Sequence, residues 1–289
     1  MRFVAYDEQG VSGLAVAASD GGYRGLRTDD PGFPGALPAL IVAGQGALQD
    51  AADRLLRQGR PVDLDAVTVL PPLPAPGKII CVGLNYVDHS LESGFQPPPV
   101  PTIFLRVAST LVGHGAPILR PTVSEQLDYE GEMVAVIGKA GRHIPAERAL
   151  DHVIGYSVFN EGSVRDWQSK GPQWTLGKNF DSTGGFGPAF VTADELPPGG
   201  KGLRIETRLN GRVVQSASTD DMIFDVPAII AFVTQAMTLQ PGDIIVSGTP
   251  AGVGMARKPQ LFMKPGDVCE VELERVGLLR NPIRAEIPA

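Results

Sequence analysis

The sequence predicts an α+β fold, mainly β, in which a small N-terminal α/β unit precedes a larger β-rich domain. Three observations carry this. Glycine and proline number 35 and 26 in 289 residues, an excess that implies many turns and hence many short strands rather than a helix bundle. Short β-branched and apolar runs recur between those turns, as strands do. Only residues 37–58 and 225–238 hold a helical apolar period over any length.

In chain order, residues 3–6 and 11–17 read as strands around the turn Asp7-Glu8-Gln9-Gly10. Residues 37–58 read as one helix, with Leu37, Leu40, Ile41, Leu48, Ala51 and Leu55 at helical spacing. Four prolines among residues 71–77 favour a stiff, extended connection, which places a boundary there: an N-terminal domain over 1–70, a linker over 71–77 and the main domain over 78–289. Strands are expected at 78–82, 133–137, 153–159 and 205–209. Asn210-Gly211 turns the last of these into a hairpin with 213–215, because both turn positions need positive φ. Two Pro-Gly-Asp turns, at 241–243 and 265–267, introduce strands 244–246 and 268–273. This order does not give a doubly wound sheet.

Composition excludes several classes. The net charge of −7 and pI near 5.2 argue against binding nucleic acid or an anionic membrane. Aromatics at 6% leave few platforms for stacked bases. No apolar run approaches the roughly 20 residues of a membrane span, and the first ten residues lack a signal-peptide pattern. Cys81 and Cys269 can form neither a disulfide framework nor a four-cysteine zinc site. A cytoplasmic protein is the expectation.

Residues 127–138 are the most informative. In a strand, Asp128, Glu130 and Glu132 share a face that runs into an apolar stretch. Crowded carboxylates repel one another, and a hard dication such as Mg²⁺, Mn²⁺ or Ca²⁺ relieves that repulsion; a solvated edge-strand face is the alternative. A second apolar strand ends in Asn160-Glu161, so Glu161 can complete a three-carboxylate site. Arg165 and Gln168 follow at i, i+3, placed to bind a substrate carboxylate or carbonyl, or else Arg165 forms a surface pair with Asp166 or Glu161. His89 and Glu92 are also i, i+3, a spacing that orients an imidazole as general base, although such pairs also decorate surfaces. Gly94 and the prolines at 97–99 suggest a hinged lid. Residues 247–254 form a glycine-rich loop that either presents backbone N–H groups and Thr249 to a ligand or is a structural turn. Lys178 lies among apolar and glycine residues, where a surface lysine is unexpected. The chain has no Gly-x-Ser-x-Gly, His-Glu-x-x-His or Cys-x-x-Cys motif, which argues against serine hydrolases, zincins and thiol redox proteins.

Taken in order, the segments 83–89, 127–132, 160–168, 177–181, 209–211 and 248–254 resemble the fumarylacetoacetate hydrolase family, over about residues 78–285. The resemblance implies a mixed β-sandwich roll, a homodimer, and Mg²⁺ or Mn²⁺ (Ca²⁺ as a substitute) held by Glu130, Glu132 and Glu161. The third ligand is ordinarily aspartate; glutamate here keeps the charge but adds a methylene. The implied activity is hydrolysis of a C–C bond in an acylpyruvate or 2,4-diketo acid. His89, oriented by Glu92, would deprotonate water, Lys178 and Gln168 would stabilise the oxyanion, and Arg165, Thr249 and Tyr86 would bind a small anionic 2-oxo acid. Phe95, Trp174 and Phe180 are candidates for the distal wall. A decarboxylase, dehydratase or isomerase of a small 2-oxo acid, and a non-catalytic metabolite-binding or scaffold member, are the alternatives.

Overall fold

In a computed structural model that describes residues 1–287, strands run through most of the chain and gather into two large sheets. The larger sheet begins with Arg60–Val62, Tyr23–Arg27, Val11–Ala17 and Arg2–Glu8, then continues through Gly184–Thr192, Val153–Glu161, Gly131–Ile137, Ile244–Val246, Ile79–Gly83 and Thr102–Arg106. The proline-rich residues 71–77 therefore separate two parts of the sequence that share one sheet, joined where Arg2 and Phe3 pair with Val191 and Phe190. The smaller sheet is ordered Arg212–Ser218, Arg204–Leu209, Val268–Leu273, Gly277–Ala285, Ile118–Arg120.

Side chains alternate across a strand, and here both faces of the large sheet are covered. Met133, Ala135, Ile137, Tyr156 and Val158 pack with Ile205, Val271 and Leu279 of the small sheet and with Ile229, Ile230 and Val233 of the helix Val226–Ala236. Val134, Val136, Phe159 and Phe186 face the other way, onto Phe3, Leu14 and the helical residues Ile41, Leu48 and Leu55. Burial on both faces explains why the central strands read as continuous apolar runs.

The helix expected over 37–58 is two, Leu37–Ala43 and Gln45–Gln58, broken where Gly44 takes φ +95°. The strand Gly184–Thr192 was not expected; its three glycines and proline read as turn residues. No helix among the described residues is long and apolar enough to cross a membrane.

Register brings the chemistry to one end of the large sheet. Gly131 pairs with Asn160 in the antiparallel ladder, so the start of one strand and the end of the other lie side by side. Ile244–Val246 runs antiparallel to Gly131–Ile137 and parallel to Ile79–Gly83. The loops after Val246 and after Gly83 thus leave the sheet at that same end.

Candidate active site

Glu130, Glu132 and Glu161 meet at this end. Each is buried, and each offers a carboxylate oxygen within 4.8 Å of the others. Lys178 Nζ donates to Glu130 Oε2 at 2.5 Å and to Glu161 Oε2 at 3.0 Å. Arg165 Nη2 lies 2.7 Å from Glu130 Oε1. Glu132 Oε2 accepts the Gly248 N–H at 2.5 Å, whereas Glu161 Oε1 is buried without a hydrogen-bond partner.

The three acids have unlike electrostatics. Burial raises Glu130, but Arg165 and Lys178 outweigh it and hold the carboxyl well below the usual range. Glu132 has no such cation in contact; burial, then the charges of Glu161 and Glu130, push it well up. Burial disfavours charge on Lys178, yet Glu130 and Glu161 overcome this and shift it upward. An orphaned buried oxygen, a carboxyl pressed toward its neutral form, and a set of hard oxygen donors fit a dication of the Mg²⁺ or Mn²⁺ type.

Asp128 does not join them. Leu127–Asp128 forms a separate short ribbon with Ser163–Val164, and the main ladder starts only at Gly131. The expected single strand through 128, 130 and 132 is therefore interrupted. Asp128 instead accepts from Arg165 Nε at 2.8 Å and from the N–H groups of Gly254 and Met255 at 2.8 and 3.0 Å.

Across from the carboxylates, the helix Val87–Glu92 sets His89 Nδ1 3.0 Å from Glu92 Oε1. Both Glu92 oxygens accept the Gly252 N–H at 2.9 Å. His89 is buried, so this pair is not surface decoration. Asn85 ties the same segment down by donating to the carbonyls of Phe224 and Ser247.

One cavity of about 210 Å³ is lined by His89, Glu130, Glu132, Glu161, Arg165, Gln168, Lys178 and Thr249, with Phe95 and Trp174 also on its wall. The guanidinium of Arg165 donates to Asp128 and to the Gln168 side-chain amide oxygen and is ion-paired with Glu130. Its Nη2 makes no hydrogen bond, so the group both orders the site and keeps a donor. The Thr249 hydroxyl donates to Gly131 O at 3.0 Å and accepts from Gln215 Nε2 at 2.8 Å. Tyr86, expected to bind substrate, is not on this wall. It immediately precedes the helix, its ring is buried with the apolar cluster between the sheets, and it lines a separate cavity with Asp88, Asp221 and Ser216. Phe180 is likewise elsewhere, packed edge-on against Trp167 with ring centroids 5.3 Å apart.

Sequence reasoning missed Gln215, which links Gly131 N, Thr249 and Pro250 O, and Arg106, a buried arginine closing the strand Thr102–Arg106. A charge at the end of the apolar run Thr-Ile-Phe-Leu was the available signal for Arg106.

Comparison with known proteins places the chain in a family. Residues 78–284 match the family model described as fumarylacetoacetate hydrolase, C-terminal. The chain is 42% identical over 274 residues to a mitochondrial oxaloacetate tautomerase of Xenopus laevis, covering 93% of this chain and 85% of that protein. A Homo sapiens protein of the same description is 41% identical over 265 residues, covering 91% and 84%. Among solved structures, a fumarylacetoacetate hydrolase from Exiguobacterium antarcticum superposes with a TM-score of 0.87 at 36% identity, covering 99% of this chain and 100% of that one. A maleylpyruvate hydrolase from Sphingobium superposes with a TM-score of 0.81 at 28% identity, over 99% and 100%. With the family match spanning most of its length, this chain belongs to the fumarylacetoacetate hydrolase family.

Proposed function

We propose that this protein is a divalent-metal-dependent enzyme that moves a proton on a small 2-oxo acid, interconverting the keto and enol forms of an oxaloacetate-like substrate. The observation that carries the reading is the facing of a buried His89, held by the half-buried Glu92, and a buried three-carboxylate cluster across one small cavity. Its relatives named oxaloacetate tautomerase align over nearly the whole chain. A bound dication would polarise the 2-oxo group and so acidify the neighbouring C–H.

The chain's own residues supply the rest. Glu92 fixes the imidazole through Nδ1, leaving Nε2 to accept the proton from carbon 3. Returning a proton to the oxygen on carbon 2 completes the enol. The positive charges of Lys178 and Arg165, held by buried carboxylates, oppose the negative charge that develops. This step needs no attacking water, which suits a small cavity whose lysine and arginine are ion-paired with buried carboxylates. Hydrolysis of an acylpyruvate is the second reading: the same histidine can activate water, and the Gln168 amide nitrogen remains as a donor.

One assay separates them. Metal-stripped protein is mixed with enol oxaloacetate and, separately, with acylpyruvates, each with and without Mn²⁺; enol decay is followed by absorbance and products by NMR. Mn²⁺-dependent enol-to-keto conversion with no new carbon products supports the tautomerase. Pyruvate plus a carboxylic acid from acylpyruvates, without effect on the enol, would establish the hydrolase, and pyruvate plus carbon dioxide a decarboxylase.

A further inference from the structure

Arg106 lies beneath the carboxylate cluster with no exposed side-chain surface. Nε donates to Thr110 Oγ1 at 3.3 Å, Nη1 to Gly162 O at 3.2 Å and Nη2 to Thr183 Oγ1 at 2.9 Å. These partners are neutral, and a neutral side chain can satisfy neutral acceptors. Burying a full charge merely to make such bonds is costly. The carboxylate within reach of that charge is Glu161: Nη1 is 3.8 Å from Oε1, too far for a hydrogen bond and near enough for strong attraction. That Oε1 is the oxygen left without a partner.

The cluster as a whole has a simple charge balance. Asp128, Glu130, Glu132 and Glu161 face Arg106, Arg165 and Lys178. Fully ionised, they leave one net negative charge. A dication inverts this to one positive charge, which the carboxylate of a 2-oxo acid neutralises. Without Arg106 the cluster holds the dication more strongly and, once loaded, keeps no positive charge for the acid.

We propose that Arg106 is a positioning residue that acts through Glu161, setting the charge of the cluster so that some affinity for the dication is exchanged for affinity for the anionic substrate. This rests on the metal and 2-oxo acid reading above.

The test is calorimetric titration of the full-length protein and its Arg106→Gln and Arg106→Lys variants, first with Mn²⁺ and then, at saturating Mn²⁺, with oxalate as a planar enolate mimic. Arg106→Gln is expected to bind Mn²⁺ about tenfold more tightly and oxalate about tenfold more weakly. Arg106→Lys, which keeps the charge but loses the three-way hydrogen bonding, is expected to stay within about threefold of wild type on both. Structural damage weakens both ligands together, so parallel losses in Arg106→Gln would overturn the proposal. So would an Arg106→Lys variant that loses affinity for either ligand, and this variant decides alone if the glutamine variant does not fold. Wild-type protein that binds no Mn²⁺ overturns the proposed function, and this inference with it; Mn²⁺ binding with the wrong response at Arg106 overturns only the inference.

Discussion

His89 and Glu92 sit one helical turn apart, and a chain that brings them together by local geometry alone needs little help from the fold. Replacing His89 with alanine removes the proton carrier while leaving the carboxylate cluster whole. Turnover is expected to fall by roughly 10²- to 10⁴-fold, with Mn²⁺ affinity by calorimetry unchanged; a fall in that affinity would mean His89 belongs to the metal site. Such local pairs are legible in sequence, as is Arg165 with Gln168. Glu130 and Glu132 are legible for the same reason, since strand alternation puts them on one face. Asp128 obeys the same spacing yet answers to Gly254 and Met255, more than a hundred residues away, whose N–H groups draw it aside. Tyr86 shares a motif with His89 but is captured by the core. Cys269 shows a different residue-scale effect. Burial, partly offset by the Asn160 amide, moves its thiol from an ordinary 9.0 up to about 12. The folded state therefore keeps a proton that the unfolded state releases. Its stability contribution is complete below pH 9.0 and is lost as pH rises toward about 12. Urea midpoints measured from about pH 8 to about pH 11 should decline, and Cys269→Ser should flatten that decline; an equal slope in both proteins would assign it to other groups.

At the scale of elements, glycine determines both what the chain does and what is hard to read in it. Gly44 divides one expected helix in two, while the glycines of Gly184–Thr192 hide a central strand, because a bare backbone is wanted where Phe159 and Asn281 approach too closely for a Cβ. Gly248 is the case with functional weight. It has φ +98°, and a Cβ there would stand 2.6 Å from Asn85 Cβ. Gly248→Ala must therefore shift the loop and spoil the N–H bond to Glu132. A loss of Mn²⁺ affinity of about tenfold is expected, readable by calorimetry, and unaltered affinity would show that Glu132 does not depend on that bond. The helix Val226–Ala236 was legible because Asp225 caps it and an apolar period follows. The Asp225 carboxylate accepts the Ala228 N–H at 3.0 Å. Asp225→Ala should cost about 1 kcal/mol and lower Tm by about 2 °C, without change in turnover.

For the whole molecule, the mainly β class and the crowding of site residues into the second part of the chain follow from composition and motif order. What the sequence could not convey is that strands from residues 2–62 extend the same sheet, since pairing partners so far apart leave no local trace. Phe3, Leu14 and Leu48 share a cluster with Val134, Phe159 and Phe186. A fragment beginning at Lys78 would expose that cluster and the edge of Gly184–Thr192, so it should aggregate or stay unfolded when expressed alone. A soluble fragment with a cooperative melt would show that the second part folds by itself. Glu92, finally, grips both the histidine and the backbone of residues 252–253, which belong to the glycine-rich loop. Any movement that parts the helix from this loop must break a bond to the one carboxylate that orients the imidazole. The imidazole is thus moored to the loop through its own orienting partner: cutting that mooring leaves the pair within the helix whole but frees it to turn relative to the carboxylates across the cavity.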